Sequence, residues 1–175
     1  TLIKILTGVY PKDGGSITFA GKTCEINSRS DAQKLGIGVI YQELSLIPTL
    51  SVMQNVMLGK EKSGCGLLKI REMKKKVSDL IQYYDFNLQP DAIVETLSIA
   101  QRQTVEILKA LSEDSSLIIM DEPTASLSSK ESEALFGIIN QLREKGVSIL
   151  YISHRLEEVF RLADRLTVLR DGRKV

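Results

Sequence analysis

Ser116-Leu117-Ile118-Ile119-Met120-Asp121-Glu122-Pro123 is the stretch that decides the fold. Four consecutive apolar side chains are too continuous for a strand with one wet face; they suit a parallel strand covered on both sides. The run ends on two adjacent carboxylates, and in an open α/β sheet the C-terminal ends of the strands face the ligand crevice. Ser148-Ile149-Leu150-Tyr151-Ile152-Ser153-His154 repeats the design and ends on the only histidine of the chain. The two runs read as neighbouring strands that carry their polar ends to one sheet edge. That grouping is what a nucleotide hydrolase needs: a carboxylate for a metal, a second for the attacking water, and an imidazole near the cleaved phosphate.

Outward from these strands, the last third alternates strand and helix. A helix carries Leu135, Ile138, Ile139 and Leu142 on one face and stops at Gly146. Another runs from Leu156 to Ala163, and a strand-turn-strand crosses Asp171-Gly172. Alternation of this kind implies βαβ units and a mainly parallel sheet. On the N-terminal side, Thr1 to Thr7 read as helix ended by Gly8, Ser16–Phe19 and Lys22–Ile26 as a hairpin around Ala20-Gly21, and Ser30–Leu35 as a short helix. Ile37 to Tyr41 read as a buried strand ending at Gln42-Glu43. The middle is different. Ser51–Leu58, Ile70–Tyr84 and Ser98–Leu111 have helical spacing, with a loose stretch at 60–66. Residues 1–43 and 113–175 are therefore expected to form an α/β core, with 44–112 inserted as a helical subdomain. Lys74-Lys75-Lys76 is expected on a solvated helix face. The first residue lies inside a helix and the last inside a strand, so both ends read as cut from something longer.

Composition narrows the function classes. With 175 residues, 43% hydrophobic and 26% charged, the chain reads as an ordinary globular domain. Its net charge of +1 asks for neither nucleic acid nor an anionic membrane surface. Cys24 and Cys65 make no disulfide framework and have no metal-ligand spacing. No apolar stretch approaches the ~20 residues of a membrane-spanning helix, so any membrane role passes through a partner.

Each polar candidate carries two readings. Asp121 suits a Mg2+ ion, a hard cation that prefers carboxylate oxygen, and Glu122 can polarise a water; the plain alternative is two solvated acids before a proline turn. His154 can donate to a phosphate or orient a water, or serve as a hydrogen-bonded structural residue. Gln42 can ligate a metal or position water, or simply begin a turn. Ser98 and Gln101 form a Ser-x-x-Gln capping box that explains both residues, yet the same helix N-terminus attracts phosphate. Ser128 and Glu131 make a second box, with no role beyond starting a helix. Asp171-Gly172 is a hairpin turn.

In this order the motifs resemble the ATP-binding subunit of an ABC transporter, over essentially the whole chain. Gln42 resembles the Q-loop glutamine, Leu97-Ser98-Ile99-Ala100-Gln101 the signature motif, and Leu117 to Glu122 the Walker B strand with its catalytic glutamate. Thr124 to Ser128 resembles the D-loop and His154 the switch histidine. Val39 to Pro48, Val105 to Leu111 and Ile152 to Phe160 are similar to the bacterial monosaccharide importers of the ribose, galactose and xylose group, in which one polypeptide carries two ATPase halves; this chain resembles the first. Three departures stand out. The Gly-x-x-x-x-Gly-Lys-Ser/Thr loop is absent, with Thr1 aligned just past it. The signature has Ile-Ala where many relatives have Gly-Gly, and Ser128 stands where many have Asp.

The resemblance implies a P-loop NTPase-like α/β fold that lacks its N-terminal strands. It implies ATP and Mg2+ as cofactors, with catalytic Glu122, His154 and Gln42, nucleotide-binding Thr1, Ser98, Ala100, Gln101 and Asp121, and metal-binding Gln42 and Asp121. It implies transmembrane permease subunits and a second ATPase half as partners, a periplasmic or extracellular sugar-binding protein indirectly, and no nucleic acid. The implied location is the cytoplasmic face of the bacterial plasma membrane. The alternatives are a non-transport ABC ATPase and an inactive or nucleotide-binding-only fragment.

Overall fold

The computed structural model describes residues 1–41, 44–61, 63–64 and 67–175. Gln42 lies outside the described residues. At the centre is a three-stranded parallel sheet of β3 (Ile37–Ile40), β6 (Leu117–Asp121) and β7 (Ser148–Ile152), with β6 in the middle. Ile37 pairs with Leu117 and Ile40 with Met120. On the other side Leu117 pairs with Ser148 and Asp121 with Ile152. The two apolar runs are therefore neighbours in register, as expected, and their polar ends lie level with each other.

Strand side chains alternate between faces, and here each face meets its own core. Ile40, Ile118 and Met120, with Ile149 and Tyr151, join a large cluster on one side. Ile37 and Ile119, with Val39, Leu117, Leu150 and Ile152, join a smaller one on the other. That two-sided cover is why β6 is apolar at every position before Asp121. The large cluster is built by α3 (Val52–Met57), α4 (Ile70–Tyr83), α5 (Ile99–Leu111) and α6 (Ser129–Glu144). Ile107, Leu108, Ile118, Met120, Ile139 and Leu142 are fully buried there. Burial of each such side chain contributes about 1.5–3 kcal/mol.

The smaller cluster lies under α1 (Leu2–Leu6), α2 (Arg29–Lys34) and the hairpin of β1 (Ile17–Phe19) and β2 (Lys22–Cys24). Gly8 ends the first helix at φ +69°, and a Cβ placed on it would lie 2.2 Å from the Ser28 carbonyl oxygen. Handedness and space both require glycine there. Beyond β7, α7 (Leu156–Leu162) leads to the hairpin of β8 (Leu169–Arg170) and β9 (Arg173–Lys174).

Two elements depart from the sequence reading. A small antiparallel hairpin, β4 (Ser63–Gly64) with β5 (Leu67–Leu68), forms in the stretch expected to be loose. Strands of two residues carry too little alternation to be read. A 3-10 turn at Val94–Thr96 precedes α5. The lysine run divides: Lys74 and Lys75 are exposed, whereas Lys76 is half-buried and its Nζ donates to the Ser112 carbonyl at 2.7 Å, closing the C-terminal end of α5.

Candidate functional site at the sheet edge

At the end of β6 the backbone turns sharply. Glu122 N–H donates to the Ile152 carbonyl at 2.9 Å, extending the β6–β7 ladder by one residue. Glu122 itself sits at φ +47°. A non-glycine residue in this left-handed region costs about 1–3 kcal/mol and persists only where its surroundings enforce it; such residues cluster at functional sites. The turn brings Glu122 Oε1 within 3.0 Å of His154 Nδ1. The imidazole is largely exposed, 69% against 33% for the carboxylate. Nδ1 is held by Glu122, and Nε2 has no hydrogen-bond partner among the described residues, which leaves it free to donate to or accept from a ligand.

Asp121 is half-buried beside this pair. Burial raises its pKa above the ordinary aspartate value and the like charge of Glu122 adds to the rise. Thr1 stands exposed at the N-cap of α1. Among the described residues the Asp121 carboxylate accepts no hydrogen bond, whereas Glu122 is partnered by His154, so Asp121 carries the less compensated charge. A divalent cation would relieve it. No three His, Cys, Asp or Glu residues cluster as a metal cage among the described residues. Asp121 and Glu122 do offer carboxylate oxygens of the kind a small hard cation takes, with phosphate and water oxygens to complete its shell, which is how Mg2+ binds.

Behind the pair lies a carboxylate that the sequence reading overlooks. Glu158 is 7% exposed. Its Oε1 accepts from Thr124 Oγ1 at 2.8 Å and from Arg155 at 3.3 Å. Its Oε2 accepts from Tyr151 OH at 2.8 Å and Ser153 Oγ at 2.9 Å. Burial pushes the Glu158 pKa up, but these donors outweigh it and hold the carboxyl below its ordinary range. The same burial and the neighbouring carboxylate push the Tyr151 phenol up. One signal was available in the sequence: Tyr151 and Ser153 are hydroxyl-bearing residues within and just after the apolar run that forms β7. A buried hydroxyl needs a partner.

Ser98, Ala100 and Gln101 stand together at the start of α5. The capping box closes completely: Ser98 Oγ accepts from Gln101 N–H at 3.2 Å, and Gln101 Oε1 accepts from Ser98 N–H at 3.1 Å. Ser98 remains exposed. The start of α6 lies beside it, where Ser128 first and the Ala100 backbone more weakly hold the Glu131 carboxyl below its ordinary value. Among the described residues no hydrogen bond or cavity wall links Ser98, Ala100 or Gln101 to Asp121, Glu122 or His154. The structure thus forms two groups: Asp121, Glu122 and His154 at the sheet edge, and Ser98, Ala100 and Gln101 at a helix start; Thr1 stands at the N-cap of α1.

A further carboxylate organises the segment after Gln42. Buried Glu106 on α5 accepts from Ser45 N–H at 2.6 Å and from Ser45 Oγ at 3.0 Å. Together with Tyr41, Lys60 and Lys109 these residues line a cleft of about 240 Å3.

Comparison with known proteins agrees with this architecture. Residues 1–125 match the model of the family described as ABC transporter. The ribose import ATP-binding protein RbsA of Hahella chejuensis is 44% identical over 100% of this chain and 35% of its own length. Its counterpart in Bacillus cereus is 45% identical over 100% of this chain and 36% of its own. A putative ribose/galactose/methyl galactoside import ATP-binding protein of Burkholderia ambifaria is 46% identical over 100% of this chain and 34% of its own. The chain thus spans about a third of the length of the curated relatives it matches. Among solved structures, a nucleotide-free ATP-binding cassette from an ABC transporter superposes with TM-score 0.83 at 25% identity, covering 99% of this chain and 73% of that one. The cbiO1 protein of Clostridium perfringens, part of the cbiONQ ABC transporter complex, gives 0.82 at 25% identity, covering 99% and 69%. With a strand-end acid pair meeting a histidine just beyond the end of the neighbouring parallel strand, and with these relatives, the chain belongs to the ABC transporter family of ATP-binding cassettes.

Proposed function

We propose that this chain forms part of the ATP-hydrolysing energy subunit of a bacterial monosaccharide importer. The observation that carries the proposal is the 3.0 Å contact of Glu122 and His154 beside an under-compensated Asp121. Asp121 would hold Mg2+, and Thr1, Asp121 and the Ser98 helix start would contact nucleotide. Gln42 is proposed as a further ligand of the cation and of the water. When bound, Mg-ATP supplies the phosphoanhydride to be cleaved and a cation that offsets phosphate charge. The chain's own residues do the rest. Glu122 accepts a hydrogen bond from the attacking water and orients it. His154, its Nδ1 fixed by Glu122, presents Nε2 toward the phosphate side. Ser98, Ala100 and Gln101, remote from that edge, would serve the nucleotide of a second ATPase half.

The import proteins this chain resembles support ribose-type sugars as cargo. The fitting partners are transmembrane permease subunits, a second ATPase half and, indirectly, an extracytoplasmic sugar-binding protein. Among the described residues no helix is long and apolar enough to cross a membrane; the peripheral position on the cytoplasmic face is proposed from the likeness to import ATP-binding proteins alone. We also propose the division into an α/β core, residues 1–43 and 113–175, and a helical subdomain, 44–112. The test is Glu122→Gln in the full-length protein. Turnover should fall by about 10²–10⁴-fold, with ATP affinity retained. Undiminished hydrolysis would reject the assignment of Glu122.

A further inference from the structure

Glu158 lies in the Ile152–Phe160 stretch that resembles the sugar importers but is given no role by the ATPase reading, yet its buried carboxylate accepts four side-chain hydrogen bonds. Its partners come from three places. Thr124 lies two residues beyond Glu122, in the turn that leaves β6. Tyr151 and Ser153 lie on and just after β7, leading directly into His154. Arg155 is the N-cap of α7, the helix that carries Glu158 itself. Arg155 N–H also donates to Ser153 Oγ at 3.0 Å, so the residues on both sides of His154 are fixed to one another. The only side-chain hydrogen bond of His154 among the described residues is the one to Glu122, and both of those side chains are solvent-accessible. Two exposed side chains in contact contribute little to their own alignment. Their spacing must come from the backbone beneath them, and Glu158 joins the two backbone segments that carry them.

We propose that Glu158 is a positioning residue for hydrolysis: from behind the sheet edge, it clamps the turn carrying Glu122 to the strand end carrying His154. An ionised carboxylate suits this task because it can only accept and offers lone pairs to all four donors at once. A glutamine amide would present hydrogens to at least one hydroxyl and break part of the clamp while keeping its volume.

The inference rests on the ATPase reading for its kinetic consequence, so its test has two arms, both in the full-length protein. The first is hydrogen–deuterium exchange of Glu158→Gln against wild type. Peptides covering 122–128 and 152–158 should both gain exchange, whereas those covering α4 and α5 should not. The second is steady-state ATP hydrolysis. Glu158→Gln should lower kcat about 10- to 100-fold and leave the KM for ATP within about twofold, because the clamp acts on the reacting geometry and not on nucleotide binding. Unchanged exchange at both segments would overturn the clamp. Parallel changes in kcat and KM with exchange rising throughout would show an ordinary core residue and equally overturn it. A wild-type protein without hydrolysis would count against the ATPase reading, and the exchange arm would still decide the clamp. If Glu158→Gln does not fold, Thr124→Val removes a single donor at nearly constant volume and should show the same pattern at smaller amplitude.

Discussion

The sheet edge and the start of α5 carry similar numbers of polar candidates but satisfy them differently. At the helix start, Ser98 and Gln101 satisfy each other across three residues, and the capping box closes without help from the rest of the molecule. At the sheet edge the partners are distant in sequence: Glu122 meets His154 and Thr124 meets Glu158, 32 and 34 residues apart. The Asp121 carboxylate has no hydrogen-bond partner among the described residues. A locally closed site is stable alone and reveals little about function. A site assembled from two strands, with a left-handed glutamate and an under-compensated aspartate, carries strain and charge that only a ligand or a reaction explains.

The most disruptive way to break this comparison is through the central strand. Met120 is fully buried between β3 and β7, one residue before Asp121. Met120→Ala should cost about 2–5 kcal/mol, read by chemical denaturation. Turnover should be lost along with it, because the edge depends on β6 being held in place. A cost well below this range would mean that the edge is not anchored by its strand.

The helix start gives a smaller and sharper test. Ser98→Ala removes the cap and should cost about 1 kcal/mol. Ser98→Asp restores a good N-cap acceptor and a charge that favours the helix dipole, so stability should return to wild type or above. If Ser98 also faces a phosphate, Ser98→Asp should nonetheless lose ATP turnover. Wild-type turnover in Ser98→Asp would reduce Ser98 to a cap.

The smallest effect comes from Asp121. Its raised pKa means that the folded protein holds that proton more tightly than the unfolded chain does. Ionisation therefore costs stability as pH rises through the window between the ordinary carboxylate value and the raised one, and above that window the cost is fully present. In metal-free protein Asp121→Asn should accordingly raise Tm at pH 7–8, with the gain vanishing as pH falls to about 4, near the ordinary aspartate pKa. A lower Tm at neutral pH would show that Asp121 is compensated after all.

The fold was largely legible because its signals are periodic. The apolar runs that became β3, β6 and β7, and the Met73, Val77 and Ile81 stripe of α4, are set by burial on fixed spacings. The capping boxes read at Ser98 and Ser128 are equally local; a third, at Ser51, went unread. The residues of the sheet-edge group were legible too, because Asp121, Glu122 and His154 each stand at the end of an apolar run. What escaped was any feature defined by a long-range contact. Glu158 sits in the first turn of α7, where an acid is already accounted for by the helix dipole, and nothing local marks it as buried. Glu106 lies mid-helix like any solvated acid until Ser45 is folded against it. The left-handed conformation of Glu122 has no sequence signature, since glutamate is not a residue that favours it.

The central claim is that Glu122 and His154 act as one unit, and a double-mutant cycle on kcat in the full-length protein tests it most directly. Glu122→Gln and His154→Ala should each lower kcat by about 10²-fold or more, and the double variant should be little worse than the weaker of the two singles, as for residues that act together. Losses that multiply in the double variant would contradict the account, because two independent residues would then share only a surface.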